Sequence, residues 1–306
     1  MYSLFVKYYE EYLSNQGLSE KSIEVYIVDV LQFCLCPQVV DMMEGRCRSH
    51  EALQGFYRVL SVEYQPKSLQ RKMVSVKNFL RYLFESGEIE EDSYRNFKFK
   101  VPQSKILPKF IPKSDLRAIF QFLSDDLAKS DSRELYRKKI RQGSVIEFLY
   151  LTGVRVEELC LLTPEDVLAD EGVVLINGKG GRQRIVPVDI ANTNFLSLYH
   201  NEFLKLSAAA KRYFVNNWGN ALSTQSVRSL VRDVSQRAGV EINVTPHMFR
   251  HTLATNLLEN EVDLRVVQEV LGHSTVKTTE IYTHVAISHV KKELQRKHPY
   301  KFDVKS

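Results

Sequence analysis

Cysteine is scarce in this chain: four thiols among 306 residues have neither the density of a disulfide scaffold nor the paired spacing of a zinc site. No apolar run approaches the ~18 residues that a membrane-spanning helix requires. The N-terminal sequence MYSLFVKYYEEYL lacks the basic leader and apolar stretch of a secretory signal. From these absences we expect a cytoplasmic protein with reduced thiols and no membrane partner.

Internal repeats and low-complexity tracts are also absent. Hydrophobic residues make up 44% of the chain, aromatic residues 10% and charged residues 26%. This composition can bury real cores and excludes a disordered, collagenous or coiled-coil chain. Lys and Arg number 42 against 37 Asp and Glu, a net charge of +5, and this mild excess permits an anionic partner without identifying one.

The clearest domain boundary is the stretch 101–112, VPQSKILPKFIP, which contains three of the nine prolines. Because proline has no amide donor and restrains the residue before it, this stretch predicts an extended linker. We therefore predict an N-terminal helical domain at 1–104, a linker at 105–112 and a second domain at 113–306. The 3.6-residue period of apolar positions predicts helices before the linker at 2–15, 19–35, 49–64 and 67–86.

The second domain is predicted to be mostly helical with one β-hairpin. Apolar residues alternate on both sides of the sequence GKGG within residues 171–188, and glycines allow the positive φ that a tight turn needs. The fold class is therefore mainly α with a small β-hairpin or sheet (α+β). Later helices are expected at 191–207, 223–238, 247–258, 263–271 and 275–283.

One helix of the first domain is strongly basic, because residues 65–84 contain five cations and no acid. Apolar residues recur along its other side, so the helix can pack on its neighbours and still present cations to a phosphate backbone. A solvated basic face is the ordinary alternative explanation. The candidate DNA contacts are Lys67, Arg71, Lys72, Lys77 and Arg81.

Two arginines of the second domain lie at the beginnings of helices. In LYLTGVRVEELCLL, Gly153 allows a sharp turn that would direct Arg155 towards a concave surface. In TPHMFRHTLATNLL, a threonine and a proline open a helix on which His247 and Arg250 share a face. The residues of this second helix that we expect to face the core are Phe249, Leu253, Leu257 and Leu258.

A histidine and a tyrosine follow in the block VLGHSTVKTTEIYTHV. His273 lies on the turn after a helix, and Tyr282 follows nine residues later. A buried structural role is the ordinary interpretation of any one of the fifteen tyrosines. His247 and His251 have the spacing of a zinc-binding pair, but no Glu or Cys accompanies them as in metalloproteases, so we predict no metal site.

Together these residue types suit nucleophilic attack on a phosphodiester. Two guanidiniums can bind the non-bridging oxygens and stabilise a pentavalent transition state without a metal. A tyrosine hydroxyl, with a reference pKa of ~10, needs a neighbouring group to accept its proton. A lysine on a mobile turn can enter the site and protonate the leaving 5′-oxygen.

The combined pattern resembles the tyrosine recombinases, the phage-integrase and Xer family, from about residue 2 to residue 295. LTGVRVEEL resembles the first arginine motif, HMFRHTLAT the His-x-x-Arg-His box, and VLGHSTVKTTEIYTHV the LGH-to-YTH segment. GKGG in a strand pair matches the hairpin lysine, and ILPKFIP resembles the linker. The three main motifs together are highly specific.

The resemblance implies how bonds and protons would move. Tyr282 would be the nucleophile that forms a 3′-phosphotyrosine. Lys179 would be the general acid for the leaving 5′-hydroxyl. His247 would act as acid and base towards the tyrosine oxygen, and His251, the second histidine of the box, would lie behind it.

The resemblance also implies how the scissile phosphate would be bound. Arg155 and Arg250 would hold it, and His273 would donate a hydrogen bond to it. Glu158 matches a position at which the family often has an acidic residue that supports the site. The phosphotyrosine would keep the energy of the broken bond, so strand exchange would need no metal, ATP or other cofactor.

The implied architecture is a two-domain, C-shaped clamp on double-stranded DNA, with an N-terminal core-binding (SAM-like) domain and a catalytic domain. Copies would form a homo-tetramer on inverted-repeat core sites, or a hetero-tetramer with a second recombinase. Segment 288–298 would contact the adjacent protomer. We expect the protein to be cytoplasmic and associated with the nucleoid.

The helical pattern begins at the start of the chain, from which we expect a simple recombinase without an arm-binding domain. A chromosome-dimer resolver and a transposon-encoded resolvase both fit, and we favour a mobile-element protein. The stretch 121–144 is longer than in compact relatives, and its Lys/Arg cluster is a further candidate for DNA contact. The alternative functions are a type IB topoisomerase, a non-catalytic DNA-binding homologue and, more distantly, a metal-dependent hydrolase.

Overall fold

The computed structural model describes residues 2–43, 46, 49–89, 95, 97, 99, 110–178, 183–272 and 297. The chain divides into two compact units, Met1–Ile106 and Leu107–Ser306. Both units are mainly helical, and the second also contains a small sheet. This is the predicted fold class. Among the described residues, no helix has the length and apolar character to span a bilayer.

The first unit is a helical bundle in its described part. Its helices are α1 (Tyr2–Asn15), α2 (Glu20–Cys34), α3 (Pro37–Met43), α4 (Ser49–Glu63) and α5 (Pro66–Glu85). Four of these match the helices predicted from the apolar period. Helix α3 was not predicted, because seven residues are too few to show a helical period.

The core of the first unit is built on the apolar side of α5, which packs against α2 and α4. Aromatic rings contribute edge-to-face contacts, with centroids 5.1 Å apart for both Tyr9–Phe79 and Phe33–Phe56. Helix α5 therefore has a buried side and an exposed side, as expected. The fully or nearly fully buried residues of α5 include Leu69, Met73, Val76, Phe79, Leu80 and Leu83.

The second unit surrounds a long central helix, α7, which packs against four other helices. The helices described in this unit are α6 (Lys113–Ala128), α7 (Arg133–Thr152), α8 (Val156–Leu161), α9 (Leu196–Ala210), α10 (Thr224–Arg237), α11 (Pro246–Glu259) and α12 (Leu264–Leu271). The helix predicted at 191–207 begins five residues later, because Ile190–Asn192 form a 3₁₀ turn. The helix predicted at 275–283 lies outside the described residues.

The sheet of the second unit is an antiparallel meander of β1 (Val167–Leu168), β2 (Val173–Asn177) and β3 (Gln183–Pro187). Strands β2 and β3 are the predicted hairpin, with Asn177 opposite Gln183 at its turn end. Strand β1 was not predicted, because two residues cannot show an alternating pattern.

A buried carboxylate fixes α9 against α7. Glu147 is fully buried and accepts hydrogen bonds from the backbone N–H groups of Asn194, Phe195 and Leu196, at 2.9, 2.9 and 2.7 Å. These are donors that a helix N-terminus otherwise leaves without a partner, and the helix dipole favours a negative charge there. Gly143, one turn earlier in α7, lets the Phe195 ring approach, because a Cβ at this position would lie 2.2 Å from Phe195 Cδ1.

We predict that Glu147→Gln lowers the free energy of unfolding by about 3 kcal/mol, because an amide can accept at only one of the two oxygen positions. Glu134→Gln, at an exposed position on the same helix, is the control and should change it by less than about 0.5 kcal/mol. Denaturant-induced unfolding of both variants measures the difference. Equal losses would show that the buried carboxylate does not fix α9.

Candidate active site

The first arginine motif forms a turn between α7 and α8. Helix α7 ends at Gly153, which has φ +59° in the left-handed region and closes the helix with its N–H on the carbonyl of Leu149. Arg155 is the N-cap residue of α8, with an extended backbone. Its side chain is 41% exposed. The sharp turn predicted from the glycine is therefore present, and the arginine emerges at a partly open surface.

Glu158 is the buried partner of this arginine. Its carboxylate accepts hydrogen bonds from the backbone N–H of Arg155 and from Arg155 Nη1, both at 2.9 Å. Arg184 of β3 adds two more, from Nη1 at 3.0 Å and Nη2 at 2.7 Å. Burial alone would raise the pKa of Glu158, but the hydrogen bonds and charges of Arg184 and Arg155 outweigh burial and hold this pKa below its usual value.

Arg184 is a residue that the sequence reasoning missed. It is 6% exposed, and its Nε donates to the carbonyl of Val270 at 3.0 Å, near the end of α12. One signal in the sequence could have identified it. In the alternating strand β3, Arg184 has the same phase as the buried Val186, so an arginine was placed on the side that faces the core.

Arg250 connects the three sequence blocks. It lies on α11 and is 7% exposed. Its Nη1 donates to the carbonyl of Gly153 at 2.8 Å, and its Nη2 donates to the carbonyl of Leu271, the last residue of α12. Burial, followed by the charges of Arg155 and Arg184, lowers the pKa of Arg250 to about 10, while Glu158 opposes this shift. Arg250 therefore keeps its charge at neutral pH.

Helix α11 begins as predicted, with Thr245 as its N-cap residue and a proline in the first turn. His247 is exposed, whereas Arg250 on the same helix is buried. Burial and the charges of His247 and Arg250 lower the pKa of His251. The prediction that Leu258 faces the core was wrong, because this residue is 46% exposed near the end of the helix.

Three of the six residues expected to carry the chemistry lie outside the described residues: Lys179, His273 and Tyr282. For two of them, a described segment on one side lies close to the site. Strand β3, which follows the lysine turn, bears Arg184, and the helix before the histidine ends next to Arg250. Within the described part of the second unit, no three His, Cys, Asp or Glu side chains form a cluster that could hold a metal ion.

The basic helix α5 presents four of its five cations at the surface. Lys67, Arg71, Lys77 and Arg81 are exposed. Lys72 is 5% exposed, and the structure contradicts its expected position on the outer face. Lys72 pairs instead with a buried carboxylate on α2.

A buried carboxylate on α2 explains the position of Lys72. Asp29 is 1% exposed and binds Lys72 Nζ at 3.0 Å, Ser75 Oγ at 2.8 Å and the guanidinium of Arg71. Lys72 also donates to Gln32 Oε1 at 2.6 Å. Lys72 therefore links α2 to α5. Arg71 binds the same carboxylate through Nη1, but its side chain remains half-exposed.

The Lys/Arg cluster of residues 121–144 is mostly occupied within its own unit. Arg133 and Arg137 both pair with Glu202. Lys139 is buried and donates to the carbonyl of Asp126 at 2.6 Å. These contacts join α7 to its neighbours, while the Arg133 side chain is 78% exposed and Lys138 is exposed, so DNA contact by this stretch stays a prediction.

Residues 109–289 match the model of the phage integrase family. A "Tyrosine recombinase" of Agathobacter rectalis is 36% identical to this chain, over 96% of it and 95% of the relative. "Tyrosine recombinase XerC" of Bacillus subtilis is 31% identical, over 97% of each chain. The chain therefore belongs to the phage integrase family, the tyrosine-type site-specific recombinases, and a topoisomerase is not favoured.

Solved structures with the same fold include a lambda integrase tetramer bound to a Holliday junction, at 15% identity and a TM-score of 0.64 over 92% of this chain and 80% of that chain. XerH recombinase bound to a palindromic difH substrate has 22% identity and a TM-score of 0.64, over 90% of this chain and 80% of that chain. At these identities the likeness establishes the fold.

We predict that Gly153→Ala lowers the free energy of unfolding by about 3 kcal/mol, through left-handed strain and overpacking together. The added Cβ would lie 2.5 Å from Leu271 Cδ2 and 3.0 Å from Leu253 Cδ2, and both leucines are buried. Gly239→Ala is the matched control, because Gly239 has φ +78° with open space around the position, and it should lose only about 1 kcal/mol. Denaturant unfolding compares the two, and equal losses would contradict tight packing at Gly153.

Proposed function

We propose that this recombinase cleaves and rejoins DNA through a 3′-phosphotyrosine on Tyr282. Arg155 and Arg250 bind the scissile phosphate and stabilise the charge of the transition state. Lys179 protonates the leaving 5′-oxygen, His247 exchanges a proton with the tyrosine oxygen, and His273 donates a hydrogen bond to the phosphate. No cation or ATP is required, because the phosphotyrosine retains the energy of the broken bond.

The observation that carries this proposal is the convergence of the sequence blocks on Arg250. One buried guanidinium contacts the carbonyl of Gly153, within the Arg155 motif, and the carbonyl of Leu271, within the block that contains His273 and Tyr282. Arg155, Arg184 and Arg250 supply three positive charges and Glu158 one negative charge, so the cluster retains a surplus for an anion. Guanidiniums bind phosphate oxygens through charge-assisted hydrogen bonds, so a phosphodiester fits this surplus of positive charge.

The partner that we propose is double-stranded DNA with inverted-repeat core sites. Lambda integrase and XerH, whose fold this chain shares, are bound to DNA in their solved structures. The exposed cations of α5 supply a surface of suitable charge. A homo-tetramer, or a hetero-tetramer with a second recombinase, would bring two sites together through segment 288–298, and the mass of the protein–DNA complex in sedimentation would identify this assembly.

The biological setting that we propose is a mobile element, such as a transposon whose co-integrates need resolution. Resolution of chromosome dimers is the alternative setting for the same chemistry. In either case the protein would act in the cytoplasm on the nucleoid.

Covalent trapping tests the proposed chemistry. The purified protein is incubated in EDTA with nicked fragments of host DNA, and the DNA strands linked to protein are sequenced. We expect a discrete set of linked fragments that disappears in Tyr282→Phe, because only the phenol oxygen can form the ester. Tyr199→Phe is not a suitable control, because the Tyr199 hydroxyl is buried and hydrogen-bonded. The exposed Tyr8 provides the control Tyr8→Phe, which should retain linkage.

The pattern of linkage distinguishes the alternatives. Linkage at scattered sequences would indicate a topoisomerase rather than a site-specific enzyme. Linkage that persists in Tyr282→Phe would exclude this residue as the nucleophile. Absence of linkage by the wild-type protein would contradict strand cleavage.

Salt dependence tests the DNA contacts of α5. We predict that Lys67→Ala, Lys77→Ala and Arg81→Ala each reduce the slope of log K against log salt for duplex DNA by about 1, the value for one phosphate contact. Lys72→Met should leave this slope unchanged and lower the free energy of unfolding by about 3 kcal/mol, because Asp29 loses a buried partner. Fluorescence anisotropy at several salt concentrations measures the slopes. Unchanged slopes in all three alanine variants would remove α5 from the interface.

A further inference from the structure

Glu158 is a single carboxylate shared by two arginines of unequal exposure. The side chain of Arg155 is 41% exposed, and the side chain of Arg184 is 7% exposed. Arg155 makes one side-chain hydrogen bond to the carboxylate, from Nη1 at 2.9 Å. Its Nε and Nη2 have no hydrogen-bond acceptor among the described residues, so this guanidinium has donors left for a ligand.

In Arg184, in contrast, each of the three guanidinium nitrogens donates a hydrogen bond within the protein. Nη1 and Nη2 bind the two oxygens of Glu158, and Nε binds the carbonyl of Val270. Gly272 leaves room for this side chain, because a Cβ there would lie 3.0 Å from Arg184 Cδ. The guanidinium of Arg184 is therefore held inside the protein by Glu158 and by the Val270 carbonyl, with three of its five N–H donors in hydrogen bonds.

The charges of the cluster suggest what Arg184 does. Bidentate pairing is the strongest arrangement of a guanidinium with a carboxylate, and Arg184 pairs with Glu158 in this way. Without Arg184, both oxygens of the buried Glu158 would face Arg155 alone. A stronger pair between Arg155 and Glu158 would then compete with any phosphate, because charge attraction is strong away from water.

We infer that Arg184 is a positioning residue that neutralises Glu158 and thereby leaves the Arg155 guanidinium free to bind phosphate. This inference rests on the proposed function only in giving Arg155 a phosphate ligand. The inference gives Glu158 an unexpected effect: the charge of Glu158 would hinder phosphate binding by Arg155 if Arg184 did not neutralise this charge. The carbonyl of Val270 holds Arg184 in position from the side of α12.

The probe is inorganic phosphate, titrated into the full chain while the Nε–H signal of Arg155 is followed by NMR on ¹⁵N-arginine-labelled protein. Loss of one signal in Arg155→Lys identifies that resonance. The variants are Arg184→Met, Glu158→Gln and the double variant. Arg228→Met is the matched control. Arg228 pairs at 3.2 Å with the exposed Glu157, which is next to Glu158 on α8.

We expect Arg184→Met to weaken phosphate binding at Arg155 by about tenfold, the effect of losing one charge-assisted hydrogen bond. The double variant should regain the wild-type affinity, because the competing charge is gone. Glu158→Gln alone should bind at least as tightly as the wild type, and Arg228→Met should not differ. A purely structural role of the pair predicts the opposite, with the double variant as weak as the single one.

Two results would overturn the inference: undiminished phosphate binding in a folded Arg184→Met, or no recovery in the double variant. If Arg184→Met does not fold, Glu158→Gln decides, since weaker binding than wild type would show that Glu158 supports Arg155 rather than competes for it. Cleavage of the trapped DNA is measured in parallel. Wild-type protein that binds phosphate as expected but never cleaves DNA would contradict the proposed function and leave this inference supported.

Discussion

The described site depends on one interaction, the pairing of the buried Arg250 guanidinium with the carbonyls of Gly153 and Leu271. Both carbonyls lie at helix C-termini, where acceptors lack intrahelical partners and the helix dipoles are negative. Two helix ends therefore compensate the burial of one cation. These contacts join the ends of α7 and α12 to α11. They therefore fix the turn before Arg155 and the last residue of α12 relative to Arg250.

Charge balance is the second constraint on the site. The site contains three arginines with like charges. Burial, together with the charges of Arg155 and Arg184, lowers the pKa of Arg250. The carboxylate of Glu158 removes part of this repulsion, and its own pKa is held low by the arginines around it. The result is a site that keeps net positive charge at neutral pH without an unpaired buried carboxylate.

The sequence predicted the local features of the fold. The helix ends at Gly153 and Gly272 could be predicted because a left-handed φ favours glycine, and both have this conformation. Pairings between distant segments could not be predicted in this way. Arg184 meets Glu158 across 26 positions and Lys72 meets Asp29 across 43, and such partners follow from tertiary packing rather than from any local period. For the same reason, a basic helix did not reveal which of its cations is buried.

The most direct test of a geometric role for Arg250 is single-turnover cleavage by Arg250→Lys on a DNA site identified by trapping. Lysine keeps the charge, but its compact ammonium lacks the planar fork of five donors that spans the two carbonyls and leaves further donors for a phosphate oxygen. We predict cleavage at least about 100-fold slower than wild type, with nearly unchanged DNA affinity. Cleavage within about tenfold of wild type, a difference of only ~1.4 kcal/mol, would show that charge alone suffices and would contradict the role assigned to this guanidinium.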